Sequence, residues 1–161
     1  MLGNQPSLRL YLLPLLQAIW PGFLPGQYRA GLVSASWQTP DMLLLTLNVS
    51  SRWPGFVPGQ HLLLTLTHNG RSLCRPFSIC SPLSLWQAQG QIELCCKVSQ
   101  NGSFTPLLAS LKSNSIVNIS AAQGDFSWQQ PAKPTLFTAA GSGITPIASM
   151  LLSQRHWLAP V

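Results

Sequence analysis

The stretch HLLLTLTHNGRSLCRPFSIC, residues 61–80, decides the fold. Leu62, Leu64 and Leu66 recur at every second position, the period that places side chains on one face of a β-strand. His68-Asn69-Gly70 follows, and an Asn-Gly pair takes the positive φ angles of a tight hairpin turn. The chain then returns through a second strand, so the whole stretch predicts a β-hairpin. That returning strand is unusually furnished. It carries Arg75, Pro76, Phe77 and Ser78 in a chain with only 7% charged residues. In an extended strand Arg75 and Phe77 share one face and Ser78 takes the other. A guanidinium can grip a pyrophosphate with two parallel hydrogen bonds, an aromatic ring can stack on a planar one, and a hydroxyl can donate or accept. The same residues would equally make a surface arginine at a strand end and a phenylalanine in the core.

Working outward, YRAGLVSAS (28–36) and DMLLLTLNVS (41–50) read as strands, with Leu43, Leu45, Leu47 and Val49 on one face of the second. QIELCCKV (91–98) places Ile92, Leu94, Cys96 and Val98 on one side, and SIVNIS (115–120) is a further strand. Between them Thr105-Pro106 predicts a short helix reaching about Leu111, with Thr105 as N-cap and proline in the first helical position. Six short strands with one helix late in the order predict a mainly β domain, a six-stranded antiparallel barrel over residues 28–130. After QQPAKP (129–134), read as a linker, the pattern changes. TLFTAAGSGITPIASMLLSQ (135–154) is read as a strand, a glycine turn and a helix with Ile147, Met150 and Leu151 on its apolar side, the first unit of an incomplete α/β domain over 131–161. One parallel strand cannot make a sheet, so the chain is expected to be the front part of a longer protein or a truncated one. Residues 1–27 form an N-terminal extension. Within it, residues 8–20 predict a short amphipathic helix, and residues 8–24 offer peripheral membrane contact through Trp20 and Phe23. No apolar run there approaches the about 20 residues of a membrane span.

Composition removes several classes. Apolar residues make up 46% of the chain, enough for a core. The formal net charge of +6 arises because Asp41, Glu93 and Asp125 are the only acids. The nine basic residues are scattered, with no basic run or helix face, so nucleic-acid binding is not expected. Diffuse positive charge still favours an acidic partner or an anionic cofactor. Cys74, Cys80, Cys95 and Cys96 make no CxxC and fit neither a zinc nor an iron–sulfur spacing, so they read as free thiols of a cytoplasmic protein with no metal.

Two glycine turns run into helices. Gly102 precedes Thr105-Pro106, and Gly141 and Gly143 precede Thr145-Pro146. Unpaired N–H groups at such a turn can receive phosphate, and glycine lets backbone approach closely. Either turn alone is as well explained by ordinary capping. Two of them, one late in the barrel and one opening the α/β unit, point to two nucleotide ligands.

The order RPFS (75–78), GSFT (102–105), GDF (124–126) and AAGSGITP (139–146), with PGQH (58–61) before the hairpin, resembles the ferredoxin–NADP reductase superfamily over about residues 28–155. That resemblance implies an FAD-binding barrel followed by the start of an NAD(P)-binding domain. It implies that Arg75 pairs with an FAD phosphate, that Phe77 stacks on the isoalloxazine where the family often has tyrosine, and that Pro76 lies between them. Ser78 would be the catalytic contact, hydrogen-bonding near the reactive N5 edge. Gly102, Ser103 and Thr105 would hold the pyrophosphate, and Gly141, Gly143 and Thr145 would wall the NAD(P) site. The implied function is electron transfer from NAD(P)H through FAD to an iron–sulfur acceptor, a ferredoxin-like domain or protein serving an oxygenase or desaturase. The competing expectation is a truncated reductase that only binds flavin or a partner.

Overall fold

A computed structural model describes residues 26–128 and 135–154. The N-terminal helix expected over 8–20, the membrane contact over 8–24 and the linker over 129–134 lie outside the described residues. Six strands form one sheet: β1 (Gln27–Trp37), β2 (Met42–Val49), β3 (His61–His68), β4 (Arg71–Ser78), β5 (Gln91–Lys97) and β6 (Ile116–Ser120). Their order is β4-β3-β6-β1-β2-β5, and each pairing is antiparallel. Beyond β4, Ile79 bridges to Leu94 of β5, and the Cys80 N–H donates to the Glu93 carbonyl at 2.9 Å. The two sheet edges therefore meet, and the sheet curls into the expected barrel.

The alternating leucines fill it. Leu43, Leu45 and Leu47 of β2, Leu62 and Leu64 of β3, and Ile92 and Leu94 of β5 are all buried, as the period-two pattern requires. The 61–80 hairpin turns through Asn69 and Gly70, both at positive φ. One end of the barrel is plugged by aromatics. Trp53 stands edge-on to Trp86 and tilted against Phe56, and its indole N–H donates to the Ser120 carbonyl at 2.9 Å.

Among the described residues three helices accompany the sheet: α1 (Leu83–Gln89), α2 (Thr105–Ala109) and α3 (Ile144–Ser153), the last entered through a 3-10 turn at Gly141–Gly143. The barrel region thus has two helices where the sequence reading has one. Helix α1 spans only seven residues and has no fully buried side chain to set a helical period, although Pro82 before it and Gly90 in left-handed conformation after it are its punctuation. The N-cap expectations are corrected too. The caps are Phe104 and Gly143, so Thr105 lies one residue inside its helix and Thr145 two. The first helical N–H groups have no intrahelical acceptor, so Pro106 and Pro146 are accepted a position or two inside the start. The strand expected at the opening of the 135–154 unit does not form: residues 135–140 pair with no strand among the described residues. Leu136 is 87% exposed there, and Phe137 instead stands edge-on to Trp128 at 5.2 Å.

Helix α3 docks directly on the barrel. Its Ile147, Ser149 and Met150 are buried. The Ser149 hydroxyl donates to the Ser81 carbonyl at 2.7 Å, and the Leu83 N–H donates to the Ser153 hydroxyl oxygen at 2.9 Å.

Candidate functional site

The site arises where the barrel fails to close. The Ile79–Leu94 bridge would extend, in antiparallel register, to Ser78 opposite Cys95, Phe77 opposite Cys96 and Pro76 opposite Lys97. None of these pairs forms. Pro76 has no N–H to donate to a ladder, which suits it to an edge strand. The strands splay, and a cleft of about 290 Å³ opens between the lips Pro76-Phe77-Ser78 and Cys95-Cys96-Lys97. Thr105 of α2 lies at one side of it, and Ser142 and Thr145 of the glycine turn at another.

A second pocket of about 500 Å³ adjoins it and shares Pro76, Phe77 and Thr105. Arg75, Gly102, Ser103 and Phe104 complete its lining. Both volumes bracket the lower range of small-molecule sites, about 300–1,000 Å³. Register explains the contents. Arg75 pairs with Leu64 and Phe77 with Leu62, so both project from the face that β3 turns into the core. At the splayed edge this face is uncovered: Arg75 is exposed and Phe77 half-buried. The Phe77 ring leans on buried Phe104, with centroids 5.8 Å apart and planes inclined by 31°.

The donors are arranged for an anion. Arg75 makes one hydrogen bond, from Nη1 to the Cys74 carbonyl at 2.8 Å, and pairs with no carboxylate among the described residues. A guanidinium has five N–H donors, so most of this one faces outward. The turn before α2 is braced by the Gly102 N–H donating to the Ser99 carbonyl and the Ser99 N–H donating to the Thr105 hydroxyl oxygen. The Thr105 hydroxyl hydrogen remains for a ligand. Because α2 has only five residues, these local groups matter here more than a helix dipole. Gly102 itself answers to the turn: a Cβ there would stand 3.0 Å from the Ser99 carbonyl oxygen and 3.3 Å from Thr105 Oγ1.

Across the cleft, the Ser78 hydroxyl has no hydrogen bond among the described residues. The Thr145 hydroxyl donates to the Ser142 carbonyl at 2.8 Å, which folds the glycine turn over the cleft. Gly141 and Gly143 line neither pocket but carry Ser142 between them. Gly143 has an ordinary helical φ of −61°, and a Cβ there would meet nothing within 4 Å. Neither backbone conformation nor packing against the described residues requires glycine at that position.

Lys97, at the cleft lip, is paired with Asp41 at 3.1 Å, and this contact holds the Asp41 carboxyl below its ordinary range. Burial pushes the Cys96 thiol up to about 11 and raises Cys95 as well, while burial, then the neighbouring Cys95, pushes Cys80 up to about 12. Burial therefore keeps these thiols largely protonated at neutral pH and makes them slow to react. Cys95, Cys96, Lys97, Phe104 and Ser142 are site residues that the sequence reading missed. The mirror register of 76–78 against 95–97 follows only once Ile79 is known to meet Leu94.

The residues fit an FAD-sized ligand: a guanidinium with no carboxylate partner among the described residues and a braced turn for phosphate, an aromatic wall, and a hydroxyl at the adjoining cleft. A family model for oxidoreductase FAD-binding domains matches residues 30–128. The chain is 37% identical over 97 residues to an NADPH oxidoreductase of Mycobacterium tuberculosis, a match covering 58% of this chain and 26% of that relative. The chain therefore spans about a quarter of that protein. Among solved structures, the flavohem-like FAD/NAD-binding domain of nitric oxide dioxygenase from Vibrio cholerae superposes with TM-score 0.71 at 18% identity, covering 82% of this chain and 58% of that one. A Neisseria gonorrhoeae ferredoxin–NADP⁺ reductase with bound FAD and NADP superposes with TM-score 0.64 at 17% identity, covering 83% and 53%. The Plasmodium falciparum ferredoxin–NADP⁺ reductase gives TM-score 0.65 at 20% identity, covering 78% and 51%. With its FAD-binding match spanning most of the barrel, and the barrel itself shared with ferredoxin–NADP reductases, the chain belongs to the oxidoreductase FAD-binding domain family.

Proposed function

We propose that this chain is the flavin half of an NAD(P)H-dependent oxidoreductase that passes electrons to an iron–sulfur acceptor, a ferredoxin-like domain or protein. The observation that carries the flavin part is the shared pocket of Arg75, Phe77, Gly102, Ser103 and Thr105, opening beside the cleft where Ser78 faces Thr145. When bound, FAD supplies two-electron acceptance from a nicotinamide and one-electron release to a metal centre. The protein's part is to hold and orient. Arg75 and the Gly102–Thr105 turn take the pyrophosphate. Phe77, backed by Phe104, supplies the flat apolar wall. Ser78 offers a hydrogen bond at the cleft, and the Gly141–Thr145 turn borders the space left for the nicotinamide. The name of the Mycobacterium relative supports a pyridine-nucleotide donor. The net charge of +6 suits docking of an acidic electron carrier.

Titration of the purified chain with FAD tests the first part: saturable quenching of flavin fluorescence at one FAD per chain is expected, and unquenched flavin would end the proposal. Ferricyanide reduction with NAD(P)H, with no transfer to any ferredoxin-type protein, would remove the acceptor part alone.

Gly143 provides a separate test of the nucleotide wall. In Gly143→Val the Cβ has room and φ is acceptable, so stability should change by less than about 0.5 kcal/mol. Nicotinamide-nucleotide binding, read as the perturbation of the flavin absorption spectrum, should weaken at least about tenfold, as when a bulky group fills a contact surface. Unchanged perturbation would take the Gly141–Thr145 turn out of the nucleotide site.

A further inference from the structure

The geometry points to Ser149 as a positioning residue: its hydrogen bond to the barrel sets where the Gly141–Thr145 turn stands over the flavin cleft. Ser149 and Ser81 are both fully buried, and the Ser149 hydroxyl donates to the Ser81 carbonyl at 2.7 Å. One turn further along, Ser153 receives the Leu83 N–H. On the next position of the same face, Met150 is 2% exposed, and its Cε reaches the place a side chain on Gly59 would occupy. These contacts run along the helix whose first turn carries Thr145, a little over one turn before the Ser149–Met150 pair. The barrel end of the latch, Ser81, lies two residues beyond the Ile79 bridge that starts the cleft. A short path therefore links the Pro76-Phe77-Ser78 lip to the Gly141–Thr145 turn. Ile147 and Met150 alone would hold α3 by apolar packing, which tolerates sliding. The two hydroxyls instead fix a register, because each meets one backbone group, Ser149 in a fully buried setting and Ser153 in a half-buried one.

This inference rests on the flavin-and-nucleotide reading of the cleft, and its test has an arm that does not. Cys95 and Cys96 line the cleft beside Ser142 and Thr145, whereas Cys74 is exposed on β4. Thiol labelling of the full chain without cofactor, followed by mass spectrometry, reads how firmly the turn covers them. In Ser149→Ala the labelling of Cys95 and Cys96 should rise about tenfold, as expected for loss of one buried hydrogen bond, with Cys74 unchanged. Ile92→Val, a core change on β5, controls for simple loss of stability. If Ser149→Ala raises Cys95 and Cys96 labelling no more than Ile92→Val does at equal loss of melting temperature, Ser149 is not a positioning residue. In the second arm, Ser149→Ala should quench FAD within twofold of the wild type and bind nicotinamide nucleotide about tenfold more weakly. Equal weakening of both ligands would overturn the positioning role. Failure of the wild type to quench FAD would overturn the flavin reading, with the labelling arm still deciding the latch.

Discussion

Gly59→Ala is expected to destabilise the chain by about 3 kcal/mol or more, the sum of a forbidden backbone angle and an overpacked site. Gly59 has φ +104°, a region that L residues rarely enter. An added Cβ would stand 2.1 Å from the Phe126 carbonyl oxygen and 2.3 Å from Met150 Cε. The methionine end can swing away. The carbonyl cannot, because its segment is tied down: Gln60 Nε2 donates to the Gly124 carbonyl, and His61 and Gln123 exchange two backbone hydrogen bonds. Relief would require lifting residues 123–126 or withdrawing α3, and either one loosens the cleft. Gly70→Ala is the control. Its φ is +72°, but a Cβ there meets nothing within 4 Å, so only about 1 kcal/mol should be lost. Urea unfolding of the two variants separates the terms. A Gly59→Ala variant as stable as Gly70→Ala would show that this loop yields freely. Against a total stability of about 5–15 kcal/mol, the expected loss is large enough to populate unfolded chain.

The glycine of PGQ is legible in the sequence as a turn residue, but its reason is not: Phe126 and Met150 lie 67 and 91 positions away. The same division runs through the whole molecule. Alternation identified β2, β3 and β5 because each has one buried face, and a one-residue slip would expose every leucine on it. Asn69-Gly70 identified the hairpin because local backbone angles suffice. Arg75, Phe77, Gly102, Ser103 and Thr105 were legible as a group through the order of their motifs, and they do line one pocket. The opposite lip, Cys95-Cys96-Lys97, was not. It is defined by strand pairing that stops, and nothing in the pattern of β5 marks where its partner leaves. The strand expected over 135–140 misled for a related reason. A strand is made by the strand beside it, and none of the described strands pairs with those residues. The threonine caps misled because Thr-Pro marks the first turn of a helix without fixing which residue of that turn is the cap.

Arg75→Ala should weaken FAD binding about 10- to 100-fold, the effect of losing a hydrogen-bonded charge worth about 1.5–3 kcal/mol. The fold should not notice. Arg75 is exposed, and its one hydrogen bond, to the Cys74 carbonyl, is made to its own neighbour. Unfolding midpoints should therefore stay within about 0.5 kcal/mol of wild type. Arg75→Lys sharpens the test. It keeps the charge but loses the planar fork, so affinity should fall between the other two if two phosphate oxygens are held at once. Salt gives a third handle: an exposed guanidinium is screened, so added salt should weaken wild-type binding more than that of Arg75→Ala. Fluorescence titration with FAD at low and high salt reads all of this. If Arg75→Ala binds FAD as tightly as wild type, the guanidinium is a surface group. The flavin would then be held by the Phe77–Phe104 wall and the Gly102–Thr105 turn alone, and Phe77→Ala would become the deciding variant. If affinity falls as expected while the fold holds, the arginine in this charge-poor chain is there for the ligand, because its one hydrogen bond among the described residues goes to its own neighbour.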